Sequence, residues 1–199
     1  MEIEKLEEGE YYHIFNRGIN RTDIFLEPRN YDYFLQKYRE NLSDVVDTLA
    51  YNLLKNHFHL FVYVKENVVV PMKKREGEIR LNASRQFGHL FNGYAQGFNK
   101  TYNRTGSLFE SPFHRKLVDS DEYITSLLYY IHNNAAHHNF VTDFKEWPYT
   151  SYHKVLSGDN TIVKGDFALD WFRGKDRLIK YHEFEQKLEK PHVWMLEDE

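Results

Sequence analysis

The sequence predicts an α+β fold, an antiparallel β-sheet with helices packed on it. Two apolar runs, Leu49 to Leu54 and His57 to Val64, are separated only by Lys55-Asn56, the spacing of an antiparallel hairpin. Three longer stretches, Arg29 to Leu42, Ala83 to Tyr102 and Asp121 to His137, carry apolar residues at helical intervals. The order of elements is β-α-β-β-α-β-α, and the expectation is that the helices pack on one face of the sheet. At 199 residues the chain fits one domain with a small appendage and can bury a proper core. It carries no internal repeat and no low-complexity segment.

Tyr11 to Asn16 reads as the first strand. It runs into Arg17-Gly18-Ile19-Asn20-Arg21, a polar turn with a glycine to reverse the chain. In the first helix Tyr33, Phe34, Lys37 and Tyr38 recur at helical spacing. The hairpin strands follow, although Lys-Asn is not a preferred turn dipeptide. Lys65 to Leu81 is charged and reads as irregular. In the second helix Phe87, Leu90, Phe91, Tyr94, Phe98 and Tyr102 form one stripe, which Gly88, Gly93 and Gly97 weaken by up to ~1 kcal/mol each. Asn103-Arg104-Thr105-Gly106 ends that helix, and a strand is expected around Phe113 to Val118. Ser120 caps the third helix, Asp121 and Glu122 suit its positive end, and Tyr123, Ile124, Leu127, Leu128 and Ile131 line its buried side. From Phe140 onward, Trp147-Pro148 and two weaker helical stretches read as an extension that wraps the core or reaches the substrate.

Composition narrows the function. There are no cysteines, so disulfides and thiolate metal sites are excluded. Met1 to Glu10 is acidic and has no apolar core of a signal peptide, and no apolar run approaches the roughly 18–20 residues that span a bilayer. The expectation is a cytoplasmic protein without a membrane partner. Net charge is −4, which argues against a protein that is basic all over. The charge is uneven: Met72 to Lys116 holds nine Lys or Arg against three Glu, a local +6 between acidic ends. Such a stretch can track a phosphate backbone, or form a solvated helix face. The 15 Tyr and 15 Phe mostly fill a core, but such rings also serve as stacking platforms for unpaired bases.

Asn56-His57-Phe58-His59-Leu60-Phe61 concentrates the chemistry. On a strand His57 and His59 share one face while Phe58 points into the core, and the two Cα atoms lie about 6.5–7 Å apart. Both imidazoles can then converge on one metal ion, although a lone His-x-His is more often two polar residues on a solvated face. The third helix supplies Tyr129-Tyr130-Ile131-His132-Asn133-Asn134. Tyr130 and Asn134 stand one turn apart, and so do Tyr129 and Asn133, so spacing alone leaves both pairs open. A phenol, a carboxamide and two imidazoles suffice to cut a phosphodiester covalently. The phenol is a poor nucleophile at its usual pKa of about 10, and a divalent ion offsets the charge of the phosphate oxygens.

On these motifs the chain resembles the HUH-type single-tyrosine transposases, and is most similar to the REP-associated tyrosine transposases. His57-Phe58-His59 matches the histidine–hydrophobe–histidine motif, and Tyr130-Ile131-His132 through Asn134 matches the nucleophile helix. Further matches are Tyr12-His13-Ile14-Phe15-Asn16-Arg17-Gly18, the segment Phe98-Asn99-Lys100 through Thr105-Gly106-Ser107-Leu108-Phe109, and Trp147-Pro148-Tyr149-Thr150-Ser151-Tyr152. The resemblance covers roughly Tyr11 to Val155. It implies a ferredoxin-like or RRM-like sheet domain over residues 1–156 and a partly helical C-terminal extension over 157–199. It also implies a magnesium or manganese ion on His57, His59 and Asn134, and attack by Tyr130 on single-stranded or hairpin DNA to give a 5′-phosphotyrosine and a free 3′-hydroxyl. The family usually shows Asn-Pro-Val and a basic residue where this chain has Asn134-Ala135-Ala136-His137. Losing the proline is expected to lengthen the helix, and losing the basic residue to weaken a phosphate contact.

The expected function is therefore metal-dependent nicking and strand transfer of single-stranded DNA, as a monomer or homodimer. Arg17, Arg21, Lys100, Arg104, Arg115 and Lys116 are the candidates for DNA contacts. The altered residues after Asn134 and the acidic net charge leave room for an alternative, a catalytically inactive hairpin DNA- or RNA-binding protein derived from a transposase. A hydrolytic metal phosphoesterase is a weaker one.

Overall fold

The computed structural model describes residues 5–72 and 76–188. Lys73, Lys74 and Arg75 of the basic stretch lie outside the described residues, as do the first four residues and the extension beyond residue 188. In chain order the elements are β1 (Tyr11–Arg17), α1 (Pro28–Leu42), β2 (Val46–Leu53), β3 (His57–Val64), β4 (Val69–Pro71), β5 (Glu78–Arg80), α2 (Ala83–Thr101), β6 (His114–Leu117), α3 (Asp121–His137), α4 (Tyr152–Ser157), α5 (Gly165–Trp171) and α6 (Lys175–Gln186). The main sheet has the order β2-β3-β1-β6, with every neighbour antiparallel. The succession from β1 to β3 and on through α2 to β6, with that order, is the ferredoxin-like arrangement. Within the stretch expected to be irregular, β4 and β5 pair as a separate two-stranded ribbon. No helix among the described residues is long and apolar enough to cross a membrane.

Local chemistry sets the helix ends. At α1, Pro28 opens the first turn, and the Asn30 side chain accepts from the backbone amides of Leu26 at 2.8 Å and Glu27 at 3.1 Å. At α2, Asn82 Oδ1 accepts from the Arg85 amide at 3.0 Å. At α3, Ser120 Oγ accepts from the Tyr123 amide at 3.3 Å. With no proline after Asn134, α3 runs on to His137, and the His138 amide donates to the Asn134 carbonyl at 3.0 Å. Gly97 has a packing role beyond its helix penalty. A Cβ there would come within 2.5 Å of Tyr33 Oη, so any larger residue would have to displace the Tyr33 ring from its place between α1 and α2.

The sheet separates two buried layers. Tyr12 and Ile14 of β1 and Phe58, Leu60 and Val62 of β3 pack with Phe34, Phe87, Leu90 and Tyr94 of α1 and α2. On the other side Phe61 and Ala50 pack with Leu127, Leu128 and Ile131 of α3 and with Val155, Ala168 and Leu178 of the later helices. Helices therefore cover both faces, not the one face expected. Every residue of α3 from Leu127 to Ala135 is buried, because the sheet lies on one side and α4, α5 and α6 on the other. Each large apolar side chain so enclosed contributes about 1.5–3 kcal/mol relative to exposure.

Two details of the hairpin position the site. The Leu54 amide donates to the His57 carbonyl at 2.8 Å and closes the turn. A β-bulge at Leu49 interrupts β2: Thr48 faces Val62 and Ala50 faces Phe61. The extra residue shifts the alternation and brings Asn52 opposite His59, on the α3 side.

Candidate active site

His57 and His59 leave β3 toward α3. Their rings stand 5.2 Å apart between centroids and are nearly perpendicular, at 89°. From β1, Arg17 lies opposite His57, Phe15 opposite His59 and His13 opposite Phe61, so all share this sheet face. α3 is laid across it. The Tyr130 ring lies 5.1 Å from that of His59 and 6.0 Å from that of His13, and Asn134 Oδ1 is 3.2 Å from His57 Nε2. His57, His59, Tyr130 and Asn134 are all buried. Asn52 Nδ2 donates to the Ile131 carbonyl at 2.7 Å and pins α3 to β2 one residue beyond Tyr130. Tyr129 turns the other way, with its ring 5.5 Å from His182 and 6.4 Å from Tyr181 on α6. The helical rotation that spacing left ambiguous thus puts Tyr130 and Asn134 on the histidines and Tyr129 on α6.

Burial sets the protonation of this site. It pushes His57 down to about 4, assisted by His138 and opposed by the contact with Asn134. It pushes His13 down to about 3, with Lys116 adding to the effect, and holds His59 well below the ordinary imidazole range. Neutral imidazole carries one ring proton. His57 Nδ1 is 2.7 Å from Asn56 Oδ1 and Nε2 is 3.2 Å from Asn134 Oδ1. One ring proton cannot serve both carboxamide oxygens, and Asn134 Nδ2 is itself buried with no hydrogen-bond partner, so the Asn134 amide presents either its oxygen or, turned over, a donor to His57 Nε2. His59 Nδ1 is 2.9 Å from His13 Nε2, while its Nε2 is buried with no hydrogen-bond partner. An orphaned buried polar atom costs about 1–3 kcal/mol.

These leftovers fit a divalent cation. Two ligands ~2.1 Å from a shared ion and at right angles are about 3 Å apart, which is the separation of His57 Nε2 and Asn134 Oδ1. Imidazole nitrogen suits zinc-like ions and amide oxygen suits magnesium or manganese, so the mixed set does not by itself select the metal. The set is neutral, so the ion's charge would remain available to a phosphate. Asn134 lies in the last turn of α3, where the helix dipole favours positive charge. Among the described residues there is no group of three or more His, Cys, Asp or Glu able to hold a metal, so any site here needs the carboxamide.

The six basic candidates separate by position. Arg17 and Lys116 share the histidine face, opposite His57 and His13 respectively, and Arg17 Nε pairs with Glu110 Oε2 at 3.0 Å. Arg115 lies on the opposite face, its guanidinium 3.8 Å from the Phe113 ring centroid and donating to Ser84 Oγ at 3.2 Å. Arg104 donates to Asn99 Oδ1 at 3.0 Å and to the Ser107 carbonyl at 2.9 Å. Arg21 and Lys100 are exposed. The segment after β1 is tied to that before β6 by Ile19 N to Leu108 O at 3.0 Å, and to the β2–β3 turn by Gly18 N to Asn56 O at 2.8 Å. Arg17, Arg21 and Arg104 are therefore gathered at the end of the sheet that carries His57.

Sequence reasoning gave no role to three neighbours: His13, His137, whose ring is 6.5 Å from that of Tyr130, and His138, whose ring is 4.8 Å from that of His57. His137 and His138 are exposed, and mark where the buried set meets solvent. A second buried histidine pair lies behind α3. His132 Nδ1 is 2.9 Å from His182 Nε2, His132 Nε2 is 3.0 Å from Ser151 Oγ, and His182 Nδ1 is 2.9 Å from the Leu178 carbonyl. That carbonyl only accepts, so His182 Nδ1 carries its proton. His182 Nε2 then accepts from His132, and His132 Nε2 accepts from the serine hydroxyl.

No family model matches the chain. A curated protein of Haemophilus influenzae, named "Putative REP-associated tyrosine transposase", is 26% identical over 174 residues, which are 82% of this chain and 92% of that protein. The solved structure of a REP-associated tyrosine transposase bound to a REP hairpin has a TM-score of 0.59 to this chain at 13% identity, over 83% of this chain and 90% of the other. The second likeness is one of fold. Together they bear out the family resemblance read from the motifs.

Proposed function

Because the chain is a relative of the REP-associated tyrosine transposases in sequence and shares their fold, we propose that it nicks and rejoins single-stranded DNA beside hairpin-forming sequences through a 5′-phosphotyrosine intermediate. One observation carries the reading: α3 brings Tyr130 to His59 and Asn134 to His57 within the same chain. His57, His59 and Asn134 would hold the divalent ion, magnesium or manganese. Bound there, the ion would neutralise charge on the phosphate oxygens.

Tyr130 Oη attacks the phosphorus and the bond to the 3′ oxygen breaks. The phenolic proton passes to solvent, and the 3′ oxygen takes one up as it leaves. The phosphate stays on the tyrosine, so a strand can be rejoined without a nucleotide cofactor. His13 acts through His59. His59 Nδ1 lies 2.9 Å from His13 Nε2, and in the tautomer in which His13 accepts, His59 Nε2 would be free to hold the ion. Arg17 and Lys116 are the basic side chains on this face, with Arg21 and Arg104 at the end of the sheet that carries His57, and Lys100, exposed on α2, is a further candidate. In this reading residues 1–156 form the catalytic unit of a cytoplasmic protein. Of the extension 157–199, the described part up to residue 188 braces α3 from behind through His182, and attack occurs in cis.

The test mixes the full chain with manganese and a single-stranded hairpin oligonucleotide and looks for a protein–DNA adduct that survives denaturation. Wild type and Tyr129→Phe should form it, and Tyr130→Phe should fall to background. Adduct from Tyr130→Phe at the wild-type level removes Tyr130 from its role. Tight, salt-sensitive hairpin binding with no adduct in any divalent metal replaces the enzyme with a binding protein.

A further inference from the structure

On the sheet face that carries His59, three rings form a continuous stack. His59 of β3 and Phe15 of β1 lie 5.7 Å apart between centroids at 27°, and Phe15 and His114 of β6 lie 4.9 Å apart at 8°. The strand register imposes the order, since Phe15 faces His59 on one side and His114 on the other. β6 is the edge strand of the main sheet, and His114 is exposed. The stack therefore starts at a buried candidate ligand and ends in an aromatic ring open to solvent. Phe15 is half-buried and the main apolar layer of β1 is on the opposite face, so the core does not require this ring.

Cations flank the rings. Arg17 is two residues along β1 from Phe15, and Lys116 is two residues along β6 from His114, which puts both on the same face as the stack. A ring that can take a further π-face, set between a guanidinium and an ammonium, matches a nucleotide: base on the ring, phosphates on the cations.

We infer that His114, backed by Phe15, is a stacking platform for one unpaired nucleobase of the DNA strand entering the candidate site. Arg17 and Lys116 hold the phosphates on either side of it. The inference rests on the proposed DNA-cleaving function and adds the part of the substrate that this edge of the sheet reads. Only Phe15 separates His114 from His59, so the base belongs to a nucleotide close to the phosphate at the histidines. Stacking tolerates any base, so the platform selects for an unpaired nucleotide rather than for a sequence.

The experiment uses the full chain and a hairpin oligonucleotide with a short single-stranded 5′ flank. An abasic site, and separately 2-aminopurine, is moved through the flank one position at a time. For wild type, one abasic position should weaken binding by about tenfold, and 2-aminopurine at that position should be quenched on binding. His114→Ala should lose both the quenching and the abasic penalty, whereas His114→Tyr should keep them. A flat abasic scan with wild type, an unchanged penalty in His114→Ala, or equal affinity for a flank made double-stranded each overturns the platform. If wild type forms the covalent adduct but the scan is flat, only the platform falls. If wild type binds no hairpin at all, the functional reading falls and takes the platform with it.

Discussion

The chain buries two histidine pairs, one on each side of α3, and they use their nitrogens differently. In His132–His182 the ring contact is 2.9 Å, and the outer nitrogens end on the Ser151 hydroxyl and the Leu178 carbonyl. In His13–His59 the contact is also 2.9 Å, but His13 Nδ1 and His59 Nε2 have no hydrogen-bond partner. Residue type, burial and spacing are alike in the two pairs. What separates them is whether hydrogen-bonding capacity is used up. The closed pair fastens α6 to α3 and, through Ser151, to the Tyr51 amide of β2. The open pair leaves ring-nitrogen capacity unused beside Tyr130, where a ligand could use it.

The contrast can be broken most directly by deleting His182. His182→Ala opens a cavity and strands His132 Nδ1 without an acceptor, so it should cost about 3–4 kcal/mol of stability in urea unfolding. A loss below about 1 kcal/mol would mean that the closed pair fastens nothing.

The same pair contributes to the pH dependence of stability, alongside His13, His57 and His59, which burial also depresses. Burial takes His182 from about 6.5 in the unfolded chain to about 4 in the folded one, and holds His132 well below its ordinary value. Across that interval the unfolded chain binds more protons, so stability rises with pH. It is complete above pH about 6.5 and is lost as pH falls toward 4, by about 3 kcal/mol for His182. Urea unfolding at a series of pH values reads this out, and His182→Phe should reduce the slope by its share, the remainder belonging to His13, His57 and His59. Parallel wild-type and variant curves would assign the acid sensitivity to other groups.

The smallest effect sharpens the open pair. His13→Phe keeps the ring but leaves His59 Nδ1 without its hydrogen-bond partner. Manganese affinity, measured by calorimetry or by the electron-spin signal of free ion, should fall about 10- to 100-fold. Nitrogen NMR should show His59 losing its single tautomer. His182→Phe, titrated where it is folded, should retain the wild-type affinity. Equal losses in the two variants would erase the distinction between the pairs.

Much of this arrangement was legible in the sequence, for identifiable reasons. The period-2 alternation at His57 and His59 and the Ser120 cap are local signals, and both strand face and helix start follow them. α3 has the bounds expected of it, Asp121–His137. Its place on the far face of the sheet was not legible, because an apolar stripe shows that a helix needs cover but not which surface supplies it. The bulge at Leu49 was equally hidden: β2 begins at Val46 rather than Leu49, and Asn52 reaches the site only through the shifted alternation. His13 lies 46 residues from His59, and His182 lies 50 from His132. No spacing rule connects such pairs, and only the folded register brings them together.

Tyr130 and Asn134 ride on one rigid rod, pinned through Ile131 to Asn52 and anchored behind by His182. Under the proposed chemistry, tilting that rod withdraws the attacking oxygen and disarms the ion in a single movement. A loosened molecule would thus fall silent instead of becoming an indiscriminate cutter, a safeguard for any cell that carries it.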